Sequence, residues 1–308
     1  MNRKLWIVLL VVFDLVIVVP AVLLYFVQPV RHAAWVLAGR GQGCPVSSAW
    51  GADAHAQELT RVKDRMLAGQ TLVGAEGGLE RYRTPKGEFW TPKGSRFILP
   101  FNLAEQEVRI YGRAPLGVRK GDIVLDCGAN VGTFARYALD DGAEKVIAIE
   151  PAPDNVECLR RNFATEIASG RLVLVAKGVW DKEDTLDLRV DPENQAADSF
   201  VIEREGATVT ARVPLTTIDK LAGELGLARV DFIKMDIEGA EVNALKGARE
   251  TLARHHPRMA ISAYHRPSDP AEIPAAARAG WSGYRVQCGP CAALDGQWRM
   301  RPDVLMFF

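Results

Sequence analysis
One run of nine residues, VLDCGANVG at 124–132, dictates the architecture of this chain. Two apolar residues lead into Asp126, and Gly128 and Gly132 bracket a polar Asn130. That is how a buried strand turns into a helix around a ligand. A glycine has no β-carbon, so it takes positive φ freely and lets a guest approach the backbone. Asp126 narrows the class of guest. A pyrophosphate loop wants neutral or positive groups at this point, so the expected ligand offers a cation, hydroxyls or amines in place of phosphates.

From Val118 onward the hydrophobic pattern alternates between strand and helix, the signature of a sheet covered on both faces. Strands are expected at 122–126, 145–150, 171–175, 230–235 and 258–264, with helices at 133–139, 240–252 and 271–279 between them. Two β-rich runs between 185 and 215, flanking a polar segment with Asn194, Asp198 and Ser199, read as a hairpin insertion. The stretches 284–286 and 303–308 remain as a terminal strand pair. The fold class is therefore α/β: a Rossmann-like, seven-stranded, mainly parallel sheet closed by a terminal antiparallel hairpin.

The first 28 residues are of another kind. Positions 5–27 are apolar except Asp14 and include one proline, Pro20. As a helix, at 1.5 Å per residue, they reach roughly 35 Å, enough to cross a bilayer. Arg3 and Lys4 also suit a cleaved secretory signal, but the apolar run exceeds that of a signal and no small-x-small site follows. A single-pass anchor at 1–28 is expected. Arg31 and Arg40 balance the basic residues before the span, so charge leaves its orientation open. Residues 29–113 read as a linker, a helix at 54–67 and a short β-rich cap, with T-P-K-G turns at 84–87 and 91–94. A short helix at 101–111 carries Glu105 and Glu107 on what reads as a solvated face. Residues 114–308 form the remaining domain.

Among 308 residues, Lys plus Arg and Asp plus Glu number 38 each, which gives no reason to expect a nucleic-acid partner. Five scattered cysteines suit a reducing compartment, so the catalytic part is expected to face the cytosol. Cys288-Gly-Pro-Cys291 copies a redox sequence but lies between two late strands, and reads as a loop with two free thiols.

The chemistry gathers at the strand ends. Glu150 follows the second strand, placed to accept hydrogen bonds from both ribose hydroxyls of a nucleoside. The same geometry serves NAD, which would need G-x-G-x-x-G instead of the D-x-G-x-x-x-G found at 126–132. A sulfonium nucleoside, S-adenosyl-L-methionine, meets both requirements. In VDFIKMDIEGAE, at 230–241, a second strand ends on Asp236 with Glu238 and Glu241 behind it. Ligands of open α/β sheets sit beyond the carboxyl ends of the strands, so Asp126, Glu150 and Asp236 are expected to converge on one crevice. A metal bridging Asp236 and Glu238 lacks a matching His or Asn cluster in the sequence, and none is expected. His265 follows the fifth strand on the same edge, where an imidazole of ordinary pKa suits a general base.

Four blocks, LDCGANVGTF at 125–134, AIEPAPDN at 148–155, PLTTIDKL at 214–221 and IKMDIEGAEVNALKGA at 233–248, resemble the FkbM family of S-adenosylmethionine-dependent methyltransferases. Members typically methylate an oxygen of a natural product or saccharide. The resemblance runs from 124 to 308 and implies a class I methyltransferase fold. It implies that Asp126, Gly128, Asn130 and Gly132 line the methionine part of the cofactor, with Ala129 and Pro151 beside them. Glu150 would hold the ribose, and Asp236 would face the reacting centre, with Glu238 and His265 as further catalytic candidates. The expected acceptor is a saccharide, lipid-linked or small-molecule hydroxyl, reached from the membrane. A membrane-tethered nucleoside-binding protein without turnover and an NAD-dependent oxidoreductase are the competing readings. Oligomeric state is not legible.

Overall fold
The computed structural model describes residues 3–190 and 208–308. Its N-terminus is helical through Arg3–Phe13, a π-helical turn Asp14–Val18 and Val19–Phe26. Leu5–Phe26 is long and apolar enough to cross a membrane, and all of it is exposed. A signal sequence has the same properties.

The helix expected at 54–67 is present as Ala52–Ala68, but the stretch before it, expected as a linker, is packed structure. Helices Gln28–Trp35, Val46–Trp50 and Ala52–Ala68 follow one another, and Trp35, Ala49 and Ala52 share a buried cluster with Cys44, Cys291 and Met300. The expected pair of free thiols is corrected here. Cys44 and Cys291, 247 residues apart, form a disulfide, and Cys288 alone of the C-x-x-C pair stays free. The helices after the apolar segment carry Cys44 onto the C-terminal hairpin, a proximity that local spacing cannot reveal. Such a bridge persists in oxidising surroundings. It therefore weighs against the cytosolic placement drawn from the cysteine count.

Strands β1 (Thr71–Glu76), β2 (Leu79–Thr84) and β3 (Gly87–Pro92) form an antiparallel sheet. The first T-P-K-G is the turn between β2 and β3: Thr84 Oγ1 accepts from the Lys86 N–H at 3.0 Å and donates to the Gly87 carbonyl at 2.8 Å. This cap is seated on a helix, Pro153–Asn162, whose last residue ties it down. Asn162 Oδ1 accepts the Trp90 N–H at 2.6 Å, and its Nδ2 donates to the carbonyls of Trp90 and Val131 at 3.0 and 2.9 Å. The helix expected at 101–111 is Ile98–Val108, and its acidic side is not solvated. Glu107 accepts from Tyr137 and pairs with Lys86, Gln106 is buried, and Glu105 is half-buried.

The main sheet begins with β4 (Ile123–Cys127), β5 (Lys145–Ile149) and β6 (Leu172–Val175). A side sheet follows, of β7 (Gly178–Val179), β8 (Asp184–Val190) and β9 (Thr208–Thr216), with β8 and β9 antiparallel. The polar segment with Asn194, Asp198 and Ser199 lies outside the described residues. Next come β10 (Phe232–Met235), β11 (Arg258–Ser262) and β12 (Val286–Cys288). A small hairpin, β13 (Cys291–Leu294) with β14 (Arg299–Pro302), precedes β15 (Val304–Phe307).

The seven-stranded sheet has the order β12-β15-β11-β10-β4-β5-β6, parallel from β11 to β6 and antiparallel where β15 meets β11 and β12. Period-2 alternation divides its residues. Leu125, Ile147, Ile233 and Met259 face one helical layer, whereas Val124, Val146, Phe232 and Ala260 face the other. From β4 the chain moves outward to β5 and β6, then returns to place β10 on the other flank of β4. The reversal opens a crevice at the carboxyl ends of β4 and β10.

The disulfide is testable by counting thiols. Full-length protein denatured and alkylated without reductant should take up three labels, and five after reduction. Five labels without reductant would refute the bridge.

Candidate active site
The crevice is built from the bottom up by a buried ion pair. Register places Lys234 of β10 opposite Asp126 of β4. Lys234 Nζ lies 3.3 Å from Asp126 Oδ1, with side-chain exposures of 6% and 0%. The same ammonium donates to the Gly128 carbonyl at 2.7 Å and reaches toward the Cys127 carbonyl at 3.4 Å. Burial alone would lower the Lys234 pKa, but the carboxylates of Asp126 and Asp236 outweigh it and hold the ammonium above its ordinary value. Burial raises the Asp126 carboxyl, an effect Lys234 opposes only in part.

Above this pair runs the glycine turn. Gly128 takes φ +76°, and a β-carbon there would strike the Asp236 carbonyl, so β4 and β10 close on each other only through glycine. Gly128 and Ala129 donate their N–H groups to the Ile149 carbonyl at 3.0 and 3.1 Å. Asn130, left-handed at φ +50°, turns its N–H to Glu150 Oε2 at 2.8 Å. Glu150 Oε1 accepts from the Ala152 N–H at 3.0 Å and from Asn155 at 3.4 Å. Burial raises the Glu150 carboxyl, and these hydrogen bonds counter it only partly.

Between the two strand tips is a cleft open to solvent. Glu150, Asn130 and Asn155 form one polar side; Asp236 and Glu238 form another; Ile149, Val179 and Ile237 supply apolar surface. Of the sequence-derived cofactor residues, Gly128, Asn130, Glu150, Pro151 and Asp236 line it. Asp126 does not. Contrary to expectation, its carboxylate lies under the floor, spent on Lys234, and acts by holding the loop. Ala129 is buried, and the β-carbon position of Gly132 points into Phe163, so both shape the turn from behind.

The acidic wall has its own supports. Asp236 Oδ2 accepts from the Tyr111 hydroxyl at 2.8 Å, and Tyr264 approaches Oδ1 at 3.5 Å. Burial would raise the Asp236 carboxyl, but Lys234, His265 and the hydroxyls of Tyr111 and Ser262 outweigh it and lower it. Glu238 is left-handed at φ +54°, a conformation costly for a residue with a long side chain and concentrated at functional sites. His265 Nε2 sits 3.4 Å from Asp236 Oδ1 and 3.6 Å from Glu238 Oε1, while Nδ1 is 3.0 Å from the wholly buried Glu241. Burial lowers the imidazole, but Glu238, Glu241 and Asp236 outweigh it and raise its pKa well above the ordinary value. The ordinary pKa behind its reading as a base does not apply here.

Sequence reasoning missed Lys234, Tyr111 and Tyr264, and noted Glu241 behind Asp236 without giving it a role. Only Lys234 left a signal, a lone cation in the apolar strand FIKM.

Comparison with known proteins agrees with the geometry. A family model described as the methyltransferase FkbM domain matches residues 126–281. The chain is 29% identical over 157 residues to methyltransferase sdnD of Sordaria araneosa, covering 41% of this chain and 60% of that protein. It is 24% identical over 169 residues to 31-O-demethyl-FK506 methyltransferase FkbM of Streptomyces tacrolimicus, covering 46% and 65%. It is 26% identical over 132 residues to hexuronic acid methyltransferase AglP of Haloferax volcanii, covering 42% and 52%. The chain thus spans less than two thirds of the length of each of these relatives.

Two stability measurements test the site's construction. Lys234→Met strands a buried carboxylate and should cost about 3–5 kcal/mol in chemical denaturation. Adding Asp126→Leu should recover part of that loss; a double variant less stable than the single one would contradict the pairing. Burial pushes the Asp303 carboxyl up to about 6, so the folded chain keeps a proton there that the unfolded chain releases nearer pH 4. Through this group, stability rises as pH falls from about 6 to about 4. Asp303→Asn should flatten that dependence and stabilise the protein at pH 7.5. The gain should be about 1–2 kcal/mol, below the ~3 kcal/mol of a two-unit shift, because the side chain is 30% exposed.

Proposed function
The chain belongs to the FkbM methyltransferase family, and from that premise we propose that it transfers the methyl group of S-adenosyl-L-methionine to a hydroxyl oxygen. The acceptor is a saccharide, lipid-linked or natural-product alcohol. One observation carries the reading: a single cleft has a buried acceptor carboxylate, Glu150, on one side and two further carboxylates, Asp236 and Glu238, on another. Ribose hydroxyls need acceptors, and a sulfonium with an ammonium needs negative charge. Among the described residues Lys177 is the one basic residue on the lining, and its ammonium is 4.0 Å from Glu224. That arrangement suits a cationic nucleoside and repels a pyrophosphate.

When bound, S-adenosyl-L-methionine supplies an electrophilic methyl group whose bonding pair stays on sulfur as the new C–O bond forms. The protein's part is placement. Glu150, its oxygens fixed by the Asn130 and Ala152 N–H groups, would take the ribose, with Asn130, Gly128 and Pro151 around it. Asp236 and Glu238 would sit at the reacting end, where the hydroxyl proton must leave. Holding acceptor and methyl in line accounts for much of the rate in a displacement of this kind.

The acceptor class rests on relatives whose names specify a hexuronic acid and an FK506 oxygen. An anchor at Leu5–Phe26 would hold the cleft near a membrane, which suits a lipid-linked saccharide.

Calorimetric titration with S-adenosylhomocysteine tests the pocket. Glu150→Gln should weaken binding about 10- to 100-fold, the loss of one or two charge-assisted hydrogen bonds, with no change in melting temperature beyond a few degrees. Because the Glu150 carboxyl is raised, affinity of the unaltered protein should fall already above the ordinary carboxylate range as pH drops. NADH binding without S-adenosylhomocysteine binding would contradict the assignment.

A further inference from the structure
A metal was set aside on sequence grounds because Asp236 and Glu238 had no histidine at ligand spacing. The fold supplies one. His265 comes from the segment after β11 and lodges between the carboxylates of the turn after β10, its side chain 3% exposed. Neither ring nitrogen makes a hydrogen bond of good geometry, and one oxygen of the wholly buried Glu241 is likewise without one. Ring nitrogens this deep, flanked by carboxylates that are poorly aligned for hydrogen bonding, leave room for a further partner.

We propose that His265 Nε2, Asp236 and Glu238 form a divalent-cation site at the reacting end of the cleft. Both separations from Nε2 fit. Nε2 lies 3.4 Å from Asp236 Oδ1 and 3.6 Å from Glu238 Oε1, so an ion about 2.1 Å from each donor would subtend angles of about 110–120°. Both carboxylates face the cleft, which leaves the outer coordination positions to water or to an acceptor oxygen. Glu241, 3.0 Å from Nδ1, stands where a carboxylate orients a metal-ligating imidazole from behind. It is a positioning residue and does not touch the ion. One imidazole with two carboxylates suits a first-row divalent ion such as Mn²⁺.

The site gives the acidic wall a chemical purpose and rests, for that purpose alone, on the methyl-transfer reading. An acceptor hydroxyl bound to the cation gives up its proton to solvent water more readily. Its oxygen lone pair then forms the bond to the methyl carbon while the C–S pair remains on sulfur.

Mn²⁺ added to metal-stripped full-length protein in detergent provides the test. Loss of the free-ion signal in electron paramagnetic resonance should report one site per chain. His265→Gln and Glu238→Gln should each weaken it at least tenfold, and Glu241→Gln about 10- to 100-fold, with folding of each variant checked by circular dichroism. In the unaltered protein the bound ion should show nitrogen coupling from one imidazole, a readout that survives if a variant fails to fold. Glu150→Gln should take up Mn²⁺ normally, which separates failure of this site from failure of the nucleoside pocket. Absence of nitrogen coupling, or equal affinity in the unaltered and His265→Gln proteins, would overturn the proposal.

Discussion

The pairing of Lys234 with Asp126 beneath the glycine turn is the interaction on which the rest of this structure depends. Two charges at 6% and 0% exposure carry a large desolvation cost, which only close pairing and further hydrogen bonds offset. Lys234 meets that demand by bonding the carbonyl of Gly128. The ion pair thus becomes a clamp. It joins the two strands that flank the crevice and fixes the loop whose N–H groups meet β5 and Glu150. A hydrophobic pair of equal volume could hold the strands together, but it could not hold the loop carbonyl.

From that clamp the cleft acquires two chemically different sides. On the β5 side, the Asn130 and Ala152 N–H groups hold Glu150 in one orientation while burial makes its ionisation costly. On the β10 side, Asp236 gathers hydroxyls and an imidazole, which with Lys234 hold its carboxyl below the ordinary value. The same functional group is set to opposite tendencies on the two sides of a shared cavity. The collision of a Gly128 β-carbon with the Asp236 carbonyl shows how little slack separates the sides.

Much of this was legible in the sequence because it is local. Short apolar runs alternating with helical stretches located β4, β5, β10 and β11 to within about two residues, and a carboxylate at a strand tip is visible as soon as the strand is. Glu150 and Asp236 were found in that way. What escaped depends on distant partners. Asp126 looked like a ligand contact because its neighbour across the sheet, Lys234, cannot be assigned until β4 and β10 are known to be adjacent. His265 was recognised as lying on the right edge, but the three carboxylates that raise its pKa come from a turn and helix the sequence could not place beside it. The Cys44–Cys291 bridge depends on helices that fold back from the apolar N-terminus onto the small β13–β14 hairpin, and its strands, CAAL and RMRP, are too short and mixed to announce themselves.

All of these features serve one claim, that the tips of β4, β5 and β10 enclose a site for a cationic nucleoside. A crystal structure of the full chain with S-adenosylhomocysteine tests it most directly. The ribose hydroxyls should lie within hydrogen-bonding distance of Glu150, with the thioether sulfur toward Asp236 and Glu238. A ligand bound elsewhere, or one whose ribose turns away from Glu150, would contradict it.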